Sequence, residues 1–360
     1  MKIVIFGLTI SSSWGNGHAT TWRGLLRELI ARGHDVAFFE RDVPYYAAHR
    51  DLTELPGGAL HIYDEWANIL PLARSELIAA DVAIVTSYCR DAVAASELVW
   101  SSSALRLFYD LDAPVTLARM RGGQAVPYIH PDGLSEFDIV LSFTGGRALD
   151  ALRHELGARA AAPLYGSVDP DVHRPTARVR AYRGALSYLG TYSPDRQETL
   201  ADLFIQPAKD LPNERFVIAG AQYPPDFPWT PNIFFVQHLP PREHPAFFCS
   251  SRLTLNVTRA AMREMGWCPS GRLFEAAACG VPIIGDWWEG LDEFFTPSSE
   301  IVVASHAQET VDALALSDAE LERMASAARK RVLTEHTAKQ RARDFEDIIA
   351  GVGARKFAVV

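Results

Sequence analysis

Only four cysteines occur in the 360 residues, Cys89, Cys249, Cys268 and Cys279, and no two are spaced C-x-x-C. Each sits in an apolar or helical context. Neither a disulfide framework nor a structural metal knot is expected, and a reducing compartment fits. Long apolar runs are missing too. No stretch approaches the roughly 18 uninterrupted apolar residues that a membrane-spanning helix requires. The run at Met1–Gly7 is too short for a secretory leader and carries no cleavage pattern, so the expected location is the cytoplasm. Positive charge is scarce as well. Against 44 acidic residues stand 35 lysines and arginines, a formal net charge of −9. That balance argues against nucleic acid as a bulk partner, since its phosphates call for a concentrated basic face. Internal repeats and low-complexity segments are absent.

The composition is that of a globular protein, 48% hydrophobic and 22% charged, and its length suggests two domains. Apolar strand runs alternate with helical segments in the first half: Lys2–Phe6, Asp35–Phe39, Val82–Thr86, Arg106–Tyr109 and Asp138–Phe143. Trp22, Leu25, Leu26 and Leu29 recur at helical spacing until Gly33 stops that helix. Such alternation implies a mainly parallel sheet with right-handed crossovers. The stretch Leu164–Pro175, with Gly166, Pro170 and Pro175 following Pro163, breaks the rhythm and marks a domain boundary. Strands are then expected at Ala185–Leu189, Phe216–Ala219, Ile233–Val236, Leu253–Asn256 and Val281–Ile284, with a helix at Asp195–Ile205. Ser305-His-Ala-Gln308 and Ser317-Asp-Ala-Glu320 read as capping boxes, and Ala319 to Ile349 as one terminal helix. The expected fold class is α/β, with two Rossmann-like domains facing a central cleft. They are an N-terminal domain over residues 1–165 and a C-terminal domain over 166–340. A helix in 341–360 would pack back on the first.

The most informative segment is Cys268–Asp286. Ser270 is a plausible N-cap, Gly280 a C′ residue and Val281–Ile284 a buried strand. Arg272 falls in the first helical turn, where the helix dipole disfavours a cation by about 0.3–1 kcal/mol. An anion there would reverse the sign, shared between Arg272 and the Ser270–Gly271 amides. Glu275 lies one turn on and suits sugar hydroxyls. Arginine for phosphate and carboxylate for ribose together suggest a nucleotide site.

Other candidates leave strand ends on what would be the same sheet edges. Gly15, Asn16 and Gly17 form a glycine loop that opens the first helix, with His18 at its N-terminus as a general base or sugar contact. That loop lacks the third glycine of a dinucleotide fingerprint, although Glu40 mimics the acidic ribose binder of that motif. Gly190 and Thr191 end a strand before Arg196, a second diphosphate contact. His238 and Leu239 offer backbone groups to a base, and Arg259 a further donor contact. Asp110 and Asp112 form a D-x-D pair that two carboxylates could offer to Mg²⁺. The match is short, so Asp110 is taken as a base or acceptor contact and no metal is assigned. Trp287 and Trp288 suit stacking on a sugar or sealing an interdomain surface.

Arg272–Ile284 resembles the donor-binding element of GT-B-fold glycosyltransferases, most closely the CgeB-like group related to glycosyltransferase family 4. Leu255–Arg259, Gly290–Phe295 and Glu335–Arg341 share that resemblance, while Gly15–His18 and Arg32–Val36 resemble acceptor-domain signatures of GT-B enzymes generally. The resemblance implies a hexosyltransferase that uses a nucleoside diphosphate sugar, UDP-linked, as donor substrate, with no cofactor or metal. Glu275 would bind ribose. Arg272, Arg196 and the amides around Gly271 would neutralise the diphosphate, and His18 would point at the transferred sugar. The acceptor is a small molecule, glycan or other group, shaped by residues 40–130, and a homodimer is left open. One departure stands out: family 4 carries two glutamates eight residues apart, and the position eight before Glu275 is Trp267. Donor sugar and stereochemistry are therefore open. His18 or Asp110 would serve as base if the enzyme inverts. The rival readings are a dinucleotide-dependent oxidoreductase, resting on the glycine loop and Glu40, and a non-catalytic sugar-nucleotide-binding protein.

Overall fold

The computed structural model describes residues 1–357. The chain divides into two units, Met1–Tyr165 with the returning segment from Ala338, and Gly166–Thr337. Among the described residues no helix is long and apolar enough to cross a membrane.

The first unit is built on a seven-stranded sheet, all parallel. Its strands are β1 (Lys2–Gly7), β2 (Asp35–Arg41), β3 (Ala59–Tyr63), β4 (Val82–Thr86), β5 (Leu105–Asp110), β6 (Ile139–Ser142) and β7 (Ala161–Pro163). Their order is β3-β2-β1-β4-β5-β6-β7. Ile3, Val4, Ile5 and Phe6 are fully buried, as a central parallel strand covered on both faces must be. Helix Gly17–Ala31 starts at Asn16, whose side chain accepts the His18 amide at 3.1 Å, and ends before Gly33 at φ +87°. Trp22, Leu25, Leu26 and Leu29 bury its inner face, as their spacing predicts. Helix Ala338–Phe357 packs on the same core through Ala342, Phe345 and Ile349, and Arg32 and His34 both hold Glu346.

The second unit carries six parallel strands: β8 (Gly184–Leu189), β9 (Phe216–Gly220), β10 (Ile233–Gln237), β11 (Ser251–Asn256), β12 (Ile283–Gly285) and β13 (Val302–Val303). They are ordered β10-β9-β8-β11-β12-β13. In both units the strand order reverses beside the first strand, which opens a crevice at the carboxyl ends of the neighbouring strands.

Several local expectations are corrected. The helix foreseen at Asp195–Ile205 continues to Asp210 through a π turn at Ala201–Ile205. Pro207 has no amide to return to the preceding turn, and the wider turn ahead of it accommodates that loss. The terminal helix is two helices, Asp318–Glu335 and Ala338–Phe357, parted at His336–Thr337, where Val168 bridges Thr337. The box at Ser317 forms with Glu320. At Ser305 the partner is Glu309 rather than Gln308: its carboxylate accepts the Ser305 amide at 2.6 Å and hydroxyl at 2.9 Å. The strands β3, β7 and β13 are additions to the sequence reading.

Candidate functional site

Helix Gly271–Ala278 follows β11 and feeds β12. Ser270 caps it, its Oγ accepting the Arg272 amide at 3.3 Å, while the Leu273 amide donates to the Ser270 carbonyl at 3.0 Å. Of the first-turn amides, these contacts leave Gly271 for a ligand. A Cβ on Gly271 would meet no atom within 4 Å, so the approach is open. Gly280 closes the helix at φ +70°. The half-buried Arg272 guanidinium holds a buried Nε without a hydrogen-bond partner, and so does Arg196. An unsatisfied buried donor costs about 1–3 kcal/mol, so each is a group prepared for an acceptor.

Arg196 Nη1 reaches the Thr191 carbonyl at 3.4 Å, just after the Gly190 turn. Both arginines lie near Tyr223. Burial raises the pKa of the Tyr223 hydroxyl, the two guanidiniums oppose that rise, and the hydroxyl donates to the Gly190 carbonyl at 3.1 Å. Gly190, Thr191, Arg196, Arg272 and Tyr223 therefore form one cluster. Tyr223 carried no signal in the sequence, since its position depends on the loop after β9. Arg259 Nε donates to Asp195 at 3.0 Å, the residue before Arg196. His238 sits at φ +47° with its amide on the Gly220 carbonyl at 2.7 Å. Leu239 is buried, and its carbonyl faces His244 Nε2 at 3.3 Å.

Glu275 is buried at the second turn of the same helix. Its Oε2 lies 3.6 Å from His244 Nδ1 and 3.8 Å from His173 Nε2. Burial alone would raise this carboxyl; the two imidazoles outweigh it and hold its pKa at about 2, so it is ionised at neutral pH. Burial pushes His173 the other way, below its ordinary value. Trp267, eight residues before Glu275, is at φ +42°. Its indole Nε1 donates to Glu293 at 2.8 Å and its ring covers Gly290. The tryptophan pair divides its roles: Trp288 is core, and Trp287 is exposed.

In the first unit Gly15 takes φ +59°, and Asn16 and Gly17 lead into the helix that carries His18. His18 Nε2 lies 3.6 Å from Asp112 Oδ2, which also accepts the Tyr88 hydroxyl at 2.9 Å. Tyr88 is held at φ +65°, a costly conformation for a bulky side chain that aims its ring at this group. Asp110, expected as base or acceptor contact, is instead wholly buried. Its Oδ1 accepts the Asp112 amide at 2.9 Å and so positions Asp112, while its buried Oδ2 has no hydrogen-bond partner. The D-x-D pair is thus divided between a buried and a half-buried carboxylate. Glu40 is likewise removed from any ribose. It is 2% exposed, and its two oxygens accept the Ile10 amide at 2.6 Å, the Ser11 amide at 3.0 Å and the hydroxyls of Thr9 and Ser11. That occupancy is the physical argument against the dinucleotide reading.

Desolvation pushes the Asp110 carboxyl up to about 6, opposed by the Asp112 amide and the Thr116 and Ser87 hydroxyls. A folded pKa above the unfolded one means the protonated form stabilises the fold, so stability falls as pH climbs from about 4 to about 6. Asp110→Asn keeps an acceptor for Asp112 and removes the buried charge. It is expected to be more stable than wild type above that window, by on the order of 2 kcal/mol, and level with it near pH 4. Chemical denaturation at the two pH values measures the difference.

A family model described as glycosyl transferase-like matches residues 196–347. Among solved structures the chain is similar to sucrose-phosphate synthase from Thermosynechococcus elongatus, at 13% identity and a TM-score of 0.72, covering 99% of this chain and 100% of that one. It is similar to HepE of Anabaena in complex with UDP and glucose, at 11% identity and 0.68, over 97% and 99% of the two chains. An α-glucosyltransferase in complex with UDP gives 13% identity and 0.71, over 97% and 100%. No curated protein sequence matches the chain. At such identities the likeness is one of fold, and the fold is the GT-B fold of two parallel-sheet α/β domains.

Proposed function

We propose that the chain transfers a sugar from a nucleoside diphosphate sugar to an acceptor, as a hexosyltransferase of the CgeB-like group with a UDP-linked donor. The observation that carries this reading is Arg272 in the first turn of its helix, with an unpartnered buried Nε, one turn before the buried, ionised Glu275. The glycosyl transferase-like match at residues 196–347 spans that helix. The UDP in the HepE and α-glucosyltransferase structures supports the choice of base.

Breaking the bond between sugar and diphosphate builds negative charge on the leaving phosphate. Arg272, Arg196 and the Gly271 amide are fixed donors that meet this charge without reorganising, so they favour the transition state over the bound substrate. Such an arrangement replaces a divalent cation at the diphosphate. Glu275 accepts ribose hydroxyls and sets the register of the nucleotide. For the acceptor proton the first unit supplies His18, whose Nε2 faces Asp112; that carboxylate stabilises the imidazolium formed when His18 takes a proton.

Calorimetric titration with uridine, UMP and UDP tests the reading. Affinity is expected to rise steeply at the second phosphate, and sugar release from UDP-glucose to proceed without added Mg²⁺ or Mn²⁺. Failure of every nucleoside diphosphate sugar to bind more tightly than about 1 mM, worth only about −4 kcal/mol, would overturn it.

A further inference from the structure

His173, His244 and Glu275 come from three separate parts of the second unit, and their ligand atoms all lie within 4.8 Å of one another. His173 follows the turn after β-bridge residue Val168, His244 opens helix His244–Cys249, and Glu275 sits on the Arg272 helix. All three are buried, His173 to 1% exposure. Neither ring nitrogen of His173 has a hydrogen-bond partner, and the same holds for His244 Nδ1 and Glu275 Oε2. Three of these atoms, His173 Nε2, His244 Nδ1 and Glu275 Oε2, thus converge, with the carboxylate oxygen at distances from the two nitrogens too long for hydrogen bonds.

The tautomer of His244 sharpens the point. Its Nε2 faces the Leu239 carbonyl at 3.3 Å, and a carbonyl only accepts, so the proton is on Nε2. In the neutral ring Nδ1 then directs a lone pair at the Glu275 carboxylate 3.6 Å away. A lone pair opposite an anion is repulsive, so that gap calls for a cation, either a proton on Nδ1 or a metal ion. A ring nitrogen tied to a backbone carbonyl with its partner nitrogen turned inward is also how metal-bound histidines are oriented. Zinc held at about 2.0–2.1 Å by nitrogen and oxygen donors spaces those donors about 3.3–3.6 Å apart. The separations here, 3.6 and 3.8 Å from Glu275 Oε2 to the two rings, are close to that spacing.

We propose that His173 Nε2, His244 Nδ1 and Glu275 Oε2 bind one divalent transition metal, zinc by its donor preference. This centre would lock the Glu275 side chain in place. The proposal shares Glu275 with the nucleotide reading and is tested without nucleotide.

The test uses the full-length protein with zinc alone and no nucleotide. After zinc loading and exhaustive dialysis, elemental analysis is expected to find about one zinc per chain, and cobalt in its place to give the visible bands of a low-coordinate site. His173→Ala, His244→Ala and Glu275→Gln are each expected to weaken zinc binding by at least about tenfold. Wild-type protein that retains no zinc overturns the proposal whether or not any variant folds. So does ¹⁵N NMR showing His244 protonated on both ring nitrogens in zinc-loaded protein, because a proton then supplies the cation. Retention of zinc by folded His173→Ala at wild-type level also overturns it. Failure here leaves the nucleotide titration untouched, and the reverse holds too.

Discussion

Arg272→Ala is expected to lower sugar-transfer kcat/KM by about 10²–10³-fold, the usual loss when one fixed donor to a developing oxyanion is removed. The side chain is half-buried and its Nε contacts no acceptor, so the substitution relieves an unsatisfied donor as it removes one. Melting temperature should therefore change little, and this separation of activity from stability distinguishes a ligand-directed arginine from a structural one. Arg272→Lys restores charge but not the planar fork, and is expected to recover only part of the activity. Glu275 needs a gentler substitution. Alanine there would leave two buried imidazoles facing a void, so Glu275→Gln is the informative change, with its effect read in KM for the donor. Wild-type kcat/KM in purified, folded Arg272→Ala would sink the site assignment.

Glu40→Ala is expected to destabilise the protein by about 3–5 kcal/mol, because it strands buried donors rather than merely deleting a contact. The amides of Ile10 and Ser11 and the hydroxyls of Thr9 and Ser11 all donate to this one carboxylate. For a unit of this size such a loss lowers the melting temperature by roughly 10 °C, which scanning calorimetry resolves. Nicotinamide dinucleotides should shift neither the wild-type nor the variant melting temperature. A variant as stable as wild type, or a wild type stabilised by the dinucleotide, would return Glu40 to the role its sequence position mimics.

How much could be read without coordinates depended on how local each signal was. The run Val82–Thr86 is a buried strand to the residue, as its shortness and its β-branched content suggest. Strand β3 escaped notice since four of its five residues are only partly buried and its pattern is mixed. Strand β7 ends in Pro163, which its edge position tolerates, and β13 is two residues long. The break at His336–Thr337 carries neither glycine nor proline, so the terminal segment read as one helix. At the site, Arg272 and Glu275 were legible because one helical turn relates them. His173 and His244 were not, since only the tertiary fold brings residues so far apart in sequence onto Glu275. Burial separates Asp110 from Asp112, and burial is not written in a three-residue motif.

The two-part composition of the first unit governs how the molecule is made. The ribosome delivers β1 to β7 first, then all of the second unit, and only afterwards the helix that supplies Ala342, Phe345 and Ile349 to the first core. The second unit is continuous in sequence and can complete its core as soon as it emerges, whereas the earlier one must wait with an apolar face uncovered. The portion synthesised first is thus the last to receive its full complement of core residues.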